Sequence, residues 1–162
     1  MKESERPPGF NPFRFNSPFL DLIGPVHSKS NDAGLTIGLR IEERHCNRRG
    51  TVHGGVLTSL ADITLGYSAG HGQVAVQLTT IALNIEFLGP ATLGRWVEWA
   101  GSVTKFGRSI AHANCIVTSD SLSVARATGM FRVHHLKDQA SSPVTSTLVP
   151  TASWTGSDDE GR

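Results

Sequence analysis

The feature that most constrains this chain is one stretch, Asn47 to Ala69, NRRGTVHGGVLTSLADITLGYSA. From Gly54 onward, Val56, Leu57, Leu60, Ala61, Ile63, Leu65 and Tyr67 recur at helical spacing and cover most of the circumference. A helix that is apolar almost all round belongs inside a fold, and Gly70 and Gly72 mark its end. One carboxylate, Asp62, interrupts that surface. Burying it is costly unless it is hydrogen-bonded, paired or functional. The rest of the chain must wrap this helix and give Asp62 a reason to be there.

Strand patterns supply the wrapping. Leu35, Ile37, Leu39 and Ile41 alternate with Thr36, Gly38 and Arg40, which predicts a half-buried strand. After the helix, four more strands are expected. In 76–88, Ile81, Leu83, Ile85 and Phe87 share one phase, with a bulge at Thr79-Thr80, where the phase changes. In 95–105, Val97, Trp99 and Val103 share a phase. The segment 109–119 carries apolar residues on both phases and reads as a central strand. The last, 122–133, has Ala125, Ala127, Phe131 and Val133 in phase. The short turns between successive strands imply antiparallel pairing. The polar run EERHCNRRGT reads only as a lead-in to the helix. Before the first strand, Ser17-Pro18 opens a short helix over 17–23 with Phe19, Leu20, Leu22 and Ile23 as its apolar side. Gly24-Pro25 stops it. Residues 1–16 read as an extended arm, 17–134 as the folded domain, and 135–162, rich in Ser, Thr, Pro and Asp, as a flexible tail. The fold class is therefore α+β, an antiparallel sheet around one long helix. Its open edges make dimerisation a natural remedy.

Composition narrows the partners. At 162 residues the chain is one domain with room for a real core. A formal net charge of +1 gives no global reason to expect nucleic acid or an anionic membrane. No apolar run approaches membrane-spanning length and the N-terminus lacks a secretory or transit pattern. Cytoplasmic residence is the default expectation, with Cys46 and Cys115 as reduced thiols.

The chemistry gathers at the helix entrance. Asp62, facing a pocket, would serve as general base or nucleophile, with Thr58 and Ser59 as possible neighbours. Gly54 and Gly55 would open the helix. First-turn amides lack intrahelical acceptors and point outward at the positive end of the helix dipole. This suits a carbonyl oxygen that gains negative charge; the other reading of His-Gly-Gly is a tight entry into the helix. His53 reads as a base or a local hydrogen-bonding residue, and Asn47 as an amide donor or a turn former. Lys105 and Arg108 flank the turn KFGRS, either as a small phosphate site or as a solvated turn. His45, Cys46 and His53 lack structural-zinc spacing, and there is no G-x-S-x-G elbow, Walker loop or dinucleotide fingerprint. No metal or cofactor is expected.

N-x-x-G-x-x-H-G-G with an Asp seven residues on resembles the hotdog-fold acyl-CoA thioesterases of the phenylacetate-degradation (PaaI) type. Here those positions are Asn47, Gly50, His53, Gly54, Gly55 and Asp62. TTIALNIEFLGPA, VTKFGRSIAHANCIV and SPFLDLIGP extend the likeness over about 17–134. The resemblance implies that the Gly54 amide polarises a thioester carbonyl with Asn47 assisting. Asp62 would activate water or attack directly, and Thr80 would place the water. Gly55, Lys105, Gly107, Arg108 and Ser109 would hold coenzyme A, present only as part of the substrate. It also implies composite sites in a homodimer, with dimers pairing into tetramers. Ala82 departs from the acidic residue many relatives carry. The rival reading is a non-catalytic acyl-CoA-binding module; a hotdog hydratase, wanting an Asp–His dyad, ranks last.

Overall fold

The computed structural model describes residues 6–13, 17–32 and 34–136. Its elements are β1 (Asn11–Pro12), α1 (Pro18–Ile23), β2 (His27–Asn31), β3 (Gly34–Arg40), a 3-10 turn (Glu43–His45), α2 (Gly54–Ala69), β4 (Val76–Phe87), β5 (Trp96–Phe106), β6 (Ile110–Ser119) and β7 (Leu122–His135). One antiparallel sheet holds all seven strands in the order β1-β2-β3-β5-β6-β7-β4. This is the hotdog arrangement, with α2 lying across the concave face of strands β3 to β7.

The helix forms and stays because its apolar positions fill that face. Leu57, Leu60, Ala61, Leu65 and Ala69 are buried against Ile37, Leu39, Val97, Trp99, Val117, Ala125, Ala127 and Phe131. Its buried hydroxyls find partners: Thr64 Oγ1 donates to the Leu60 carbonyl at 2.7 Å, and Ser68 Oγ accepts the Leu35 N–H at 3.1 Å. The Trp99 indole N–H donates to the Leu57 carbonyl at 3.0 Å, tying β5 to the first turns of the helix. Glycine is required where helix and sheet come closest. A Cβ on Gly101 would overlap the Ser68 hydroxyl and lie 2.8 Å from the Thr64 methyl carbon.

Several sequence expectations need correction. β1 and β2 were not foreseen; HSKSN has no apolar alternation, and β2 is held by pairing with β3 rather than by an apolar face of its own. β3 is not half-buried. Ile37, Gly38 and Leu39 are all buried, because Phe10 and Trp96 stack edge-on 5.1 Å apart over the opposite face at Gly38. The N-terminal segment is thus docked on the sheet over Phe10–Pro12 rather than simply extended. Only Leu20 of α1 is buried, while Phe19 and Leu22 face solvent. Antiparallel pairing holds for β5–β6 and β6–β7, but β4 pairs with β7 and not with its neighbour in sequence, β5. The connection after β4 instead crosses to the helix entrance, where the Ala91 carbonyl accepts the Val52 N–H at 2.8 Å and Thr92 bridges to Thr51. The bulge lies one residue later than expected, between Thr80 and Ala82. The expected tail falls, from 137 onward, outside the described residues.

Candidate active site

The helix entrance is a tightly bonded turn. Asn47 N–H donates to the Thr51 carbonyl at 2.8 Å and Gly50 N–H to the Asn47 carbonyl at 3.0 Å, with Gly50 at φ +72°. The Asn47 side chain does two jobs: Oδ1 accepts the Arg49 N–H at 2.8 Å, and Nδ2 donates to Thr51 Oγ1 at 2.9 Å. An amide nitrogen has two protons, and the second Nδ2–H has no acceptor among the described residues. Asn47 is therefore both the turn former and an available donor.

The segment is anchored from below by His45, 2% exposed. Its Nδ1 accepts the Glu42 N–H at 2.9 Å, and its Nε2 donates to the Ile23 carbonyl at 2.7 Å. The His45 carbonyl in turn accepts the His53 N–H at 2.8 Å. Sequence reading considered His45 only as a failed zinc ligand; its structural role depends on Ile23, distant in sequence. No group of three or more His, Cys, Asp or Glu suited to a metal occurs among the described residues.

His53 caps α2. Its Nδ1 accepts the Gly55 N–H at 2.9 Å. Neutral imidazole accepts at one nitrogen and donates at the other, so this bond sets the proton on Nε2 and makes His53 a donor toward the adjoining space. Gly55 spends its amide on that cap. The Gly54 N–H has no acceptor among the described residues, as befits a first-turn amide. A Cβ at Gly54 would sit 3.2 Å from the Phe87 ring, so glycine here lets that ring close over the backbone. Asn47, Arg48, Arg49, His53 and Gly54 line a cavity of 650 Å³. Arg48 and Arg49 were passed over in the sequence; their one signal was adjacency within NRRG.

Asp62 is half-buried on α2, and its Oδ1 accepts the Thr80 hydroxyl at 2.9 Å. Thr80 belongs to β4, at the bulge that locally re-aims the strand. Thr58 points elsewhere, donating to the Gly54 carbonyl at 2.8 Å. Within one chain the pair Asp62–Thr80 and the Gly54 amide are separate: eight helical residues at 1.5 Å each place them about 12 Å apart.

The β5–β6 turn stands further off. Thr80, Phe131, Ala111 and Phe106 register across four strands, so the turn lies about 14 Å from Thr80 at the usual strand spacing. In it the Gly107 N–H donates to the Ile110 carbonyl at 2.9 Å. The Arg108 carbonyl accepts from His135 Nε2 and the Ser109 carbonyl accepts the Val133 N–H, each at 2.9 Å. These bonds fix the turn and leave the Lys105 and Arg108 side chains exposed. Both cysteines are free; burial pushes the Cys115 thiol up to about 12, which makes it unreactive.

Comparison with known proteins places the chain in a family. The family model described as "Thioesterase superfamily" matches residues 49–125, which spans the helix entrance, α2 and strands β4 to β6. The chain is 40% identical over 129 residues to the candidate esterase PA0474 of Pseudomonas aeruginosa, covering 78% of this chain and 96% of that one. It is 26% identical over 117 residues to acyl-coenzyme A thioesterase 13 of Homo sapiens, covering 72% of this chain and 84% of that one. The fold superposes on the PaaI protein of E. coli with a TM-score of 0.67 at 22% identity, covering 74% of this chain and 87% of that one. By fold, by the matched family model and by its kinship with the Pseudomonas protein, the chain belongs to the thioesterase superfamily.

Proposed function

We propose that this protein hydrolyses acyl-CoA thioesters, releasing the free acid and coenzyme A. The observation that carries the reading is the Asp62–Thr80 hydrogen bond on a core helix whose own N-terminus presents a free Gly54 amide to a cavity. In this reading the Gly54 N–H, with the spare Asn47 N–H, polarises the thioester carbonyl and holds the oxyanion. His53 orients the entrance through its cap and donates from Nε2. Thr80 positions Asp62 and the attacking water, and Asp62 takes its proton or attacks directly. Lys105 and Arg108, with Gly107 and Ser109 beneath them, hold the phosphates of coenzyme A, at a separation from Thr80 that a pantetheine arm spans. No metal or further cofactor is called for.

The 12 Å between Gly54 and Asp62, about eight residues along α2, is too far for one bound thioester to reach both. The working site therefore joins Gly54 of one chain to Asp62 of another. β4 is the edge that makes this possible, since among the described residues it pairs with β7 on one side only and bears exposed Ile81 and Phe87, with Leu88 just beyond it. Dimers of this kind present further faces on which tetramers assemble.

Two inactive variants test this together. Asp62→Asn removes the base, and Gly54→Pro removes the amide at a helix position where a proline backbone is tolerated, its Cβ displacing the exposed Phe87 ring by a few tenths of an ångström. Each alone is expected to lower kcat/KM for acyl-CoA by at least about a hundredfold. Refolded as an equal mixture, half the dimers are mixed and each contains one intact site, so about a quarter of wild-type activity returns. Full activity in Asp62→Asn would refute the mechanism, and no recovery on mixing would refute the shared site. The rival, a CoA-ester-binding module, predicts binding without turnover by the wild type.

A further inference from the structure

The cavity at the helix entrance carries more positive charge than the proposed hydrolysis uses. Two of its five lining residues are Arg48 and Arg49. Three other arginines hold carboxylates: Arg44 with Glu42, Arg95 with Asp120 and Arg126 with Glu86. Arg48 and Arg49 hold none among the described residues, and both are exposed. Their backbone is not loose. The Arg49 N–H is fixed by Asn47 Oδ1, and the Gly50 and Thr51 bonds close the turn on either side. Two adjacent like charges on a fixed turn repel each other, and nothing in the described fold offsets that. A guanidinium pair in such a place is suited to planar or tetrahedral oxyanions, which it binds by two parallel N–H donors.

Resting on the thioesterase reading, we infer that Arg48 and Arg49 form an anion clamp that reads a negatively charged group of the thioester substrate bound at Gly54. The shared chemistry is a cluster of anionic oxygens, from either of two sources: a carboxylate at the far end of the acyl group, or a phosphate of coenzyme A. The pair binds and orients; it takes no part in proton transfer. It is distinct from the Lys105–Arg108 turn, which lies on the far side of three strand pairings from Thr80.

The double variant Arg48→Gln/Arg49→Gln is compared with the wild type on acetyl-CoA, succinyl-CoA and S-acetylpantetheine, which lacks the phosphates. An acyl carboxylate as the source predicts a rise in KM of about tenfold or more for succinyl-CoA alone. A CoA phosphate as the source predicts that rise for both CoA esters, with S-acetylpantetheine unchanged. In either case kcat changes less than twofold, and the affected KM rises more steeply with ionic strength in the wild type than in the variant, which keeps Lys105 and Arg108. Equal effects on all three esters, or none on any, overturn the clamp. If the wild type turns over none of the three, its turnover of a wider panel of aliphatic and aromatic acyl-CoA esters decides the hydrolase reading on its own. The clamp is then decided by calorimetry: the variant must bind coenzyme A or succinyl-CoA at least about tenfold more weakly, with pantetheine unaffected.

Discussion

In the proposed mechanism Asp62 carries the chemistry and Thr80 gives it a direction. The 2.9 Å bond between them joins a helix to a strand eighteen positions later in the chain. The helical period of α2 made Asp62 conspicuous without saying what it met; its partner was named only by likeness to a family, since nothing local to TTIALNI points at a helix. Thr80→Val keeps the shape and removes the hydroxyl. It is expected to lower kcat about tenfold or more with KM within about twofold, because the loss falls on positioning rather than on substrate contact. Thr80→Ser should restore most of the rate. A variant Thr80→Val with wild-type kcat would remove Thr80 from the reaction. His53 shows the opposite case: its side chain is explained by the Gly55 N–H two residues ahead, a local bond of the kind that sequence can suggest.

Elements were legible in proportion to their apolar period. The run from Gly54 to Ala69 is the helix as expected, end to end, and β4 to β7 fall within one or two residues of their predicted bounds. β2 was invisible because a polar strand is held by its neighbour's hydrogen bonds rather than by side chains of its own. The double-sided burial of β3 was invisible too, since Phe10 and Trp96 reach it from remote segments. Small residues at contacts are equally hard to read. Gly101 looks like an ordinary interruption of WVEWAGSVTKF, yet it lets β5 approach Ser68 and Thr64 of α2. Gly101→Ala is expected to destabilise the fold by about 2 kcal/mol, lowering Tm by about 4–8 °C. Gly70→Ala, whose Cβ would meet nothing nearer than 3.6 Å, serves as the control with little change. Equal melting of wild type and Gly101→Ala would show that the sheet yields at this contact.

For the whole molecule, the open edge matters most. β4 offers twelve residues with one side unpaired and Ile81 half exposed at its bulge. A lysine there places a charge on the strand that the proposed dimer needs, which is how natural sheets block edge pairing. Ile81→Lys is expected to shift the protein to monomer by light scattering and to abolish thioester hydrolysis, although each chain keeps its Asp62–Thr80 pair. A monomer with full activity would place the site within one chain. A second chain was expected from open sheet edges, and the proposed mechanism gives it a specific reason: one helix holds Gly54 and Asp62 about 12 Å apart.

The strand order also bears on how the chain comes into being. β4 lies at the rim of the sheet, yet its only strand partner among the described residues is β7, the last of the seven strands. During synthesis β4 leaves the ribosome well before β7 and has both flanks bare in the interval. β5 and β6 can meanwhile zip into a local hairpin, but they cannot shelter it. The nascent chain is therefore most open to mispairing between the appearance of Phe87 and that of Leu122. Only when β7 is complete does β4 acquire one covered flank and become the rim on which the proposed dimer forms.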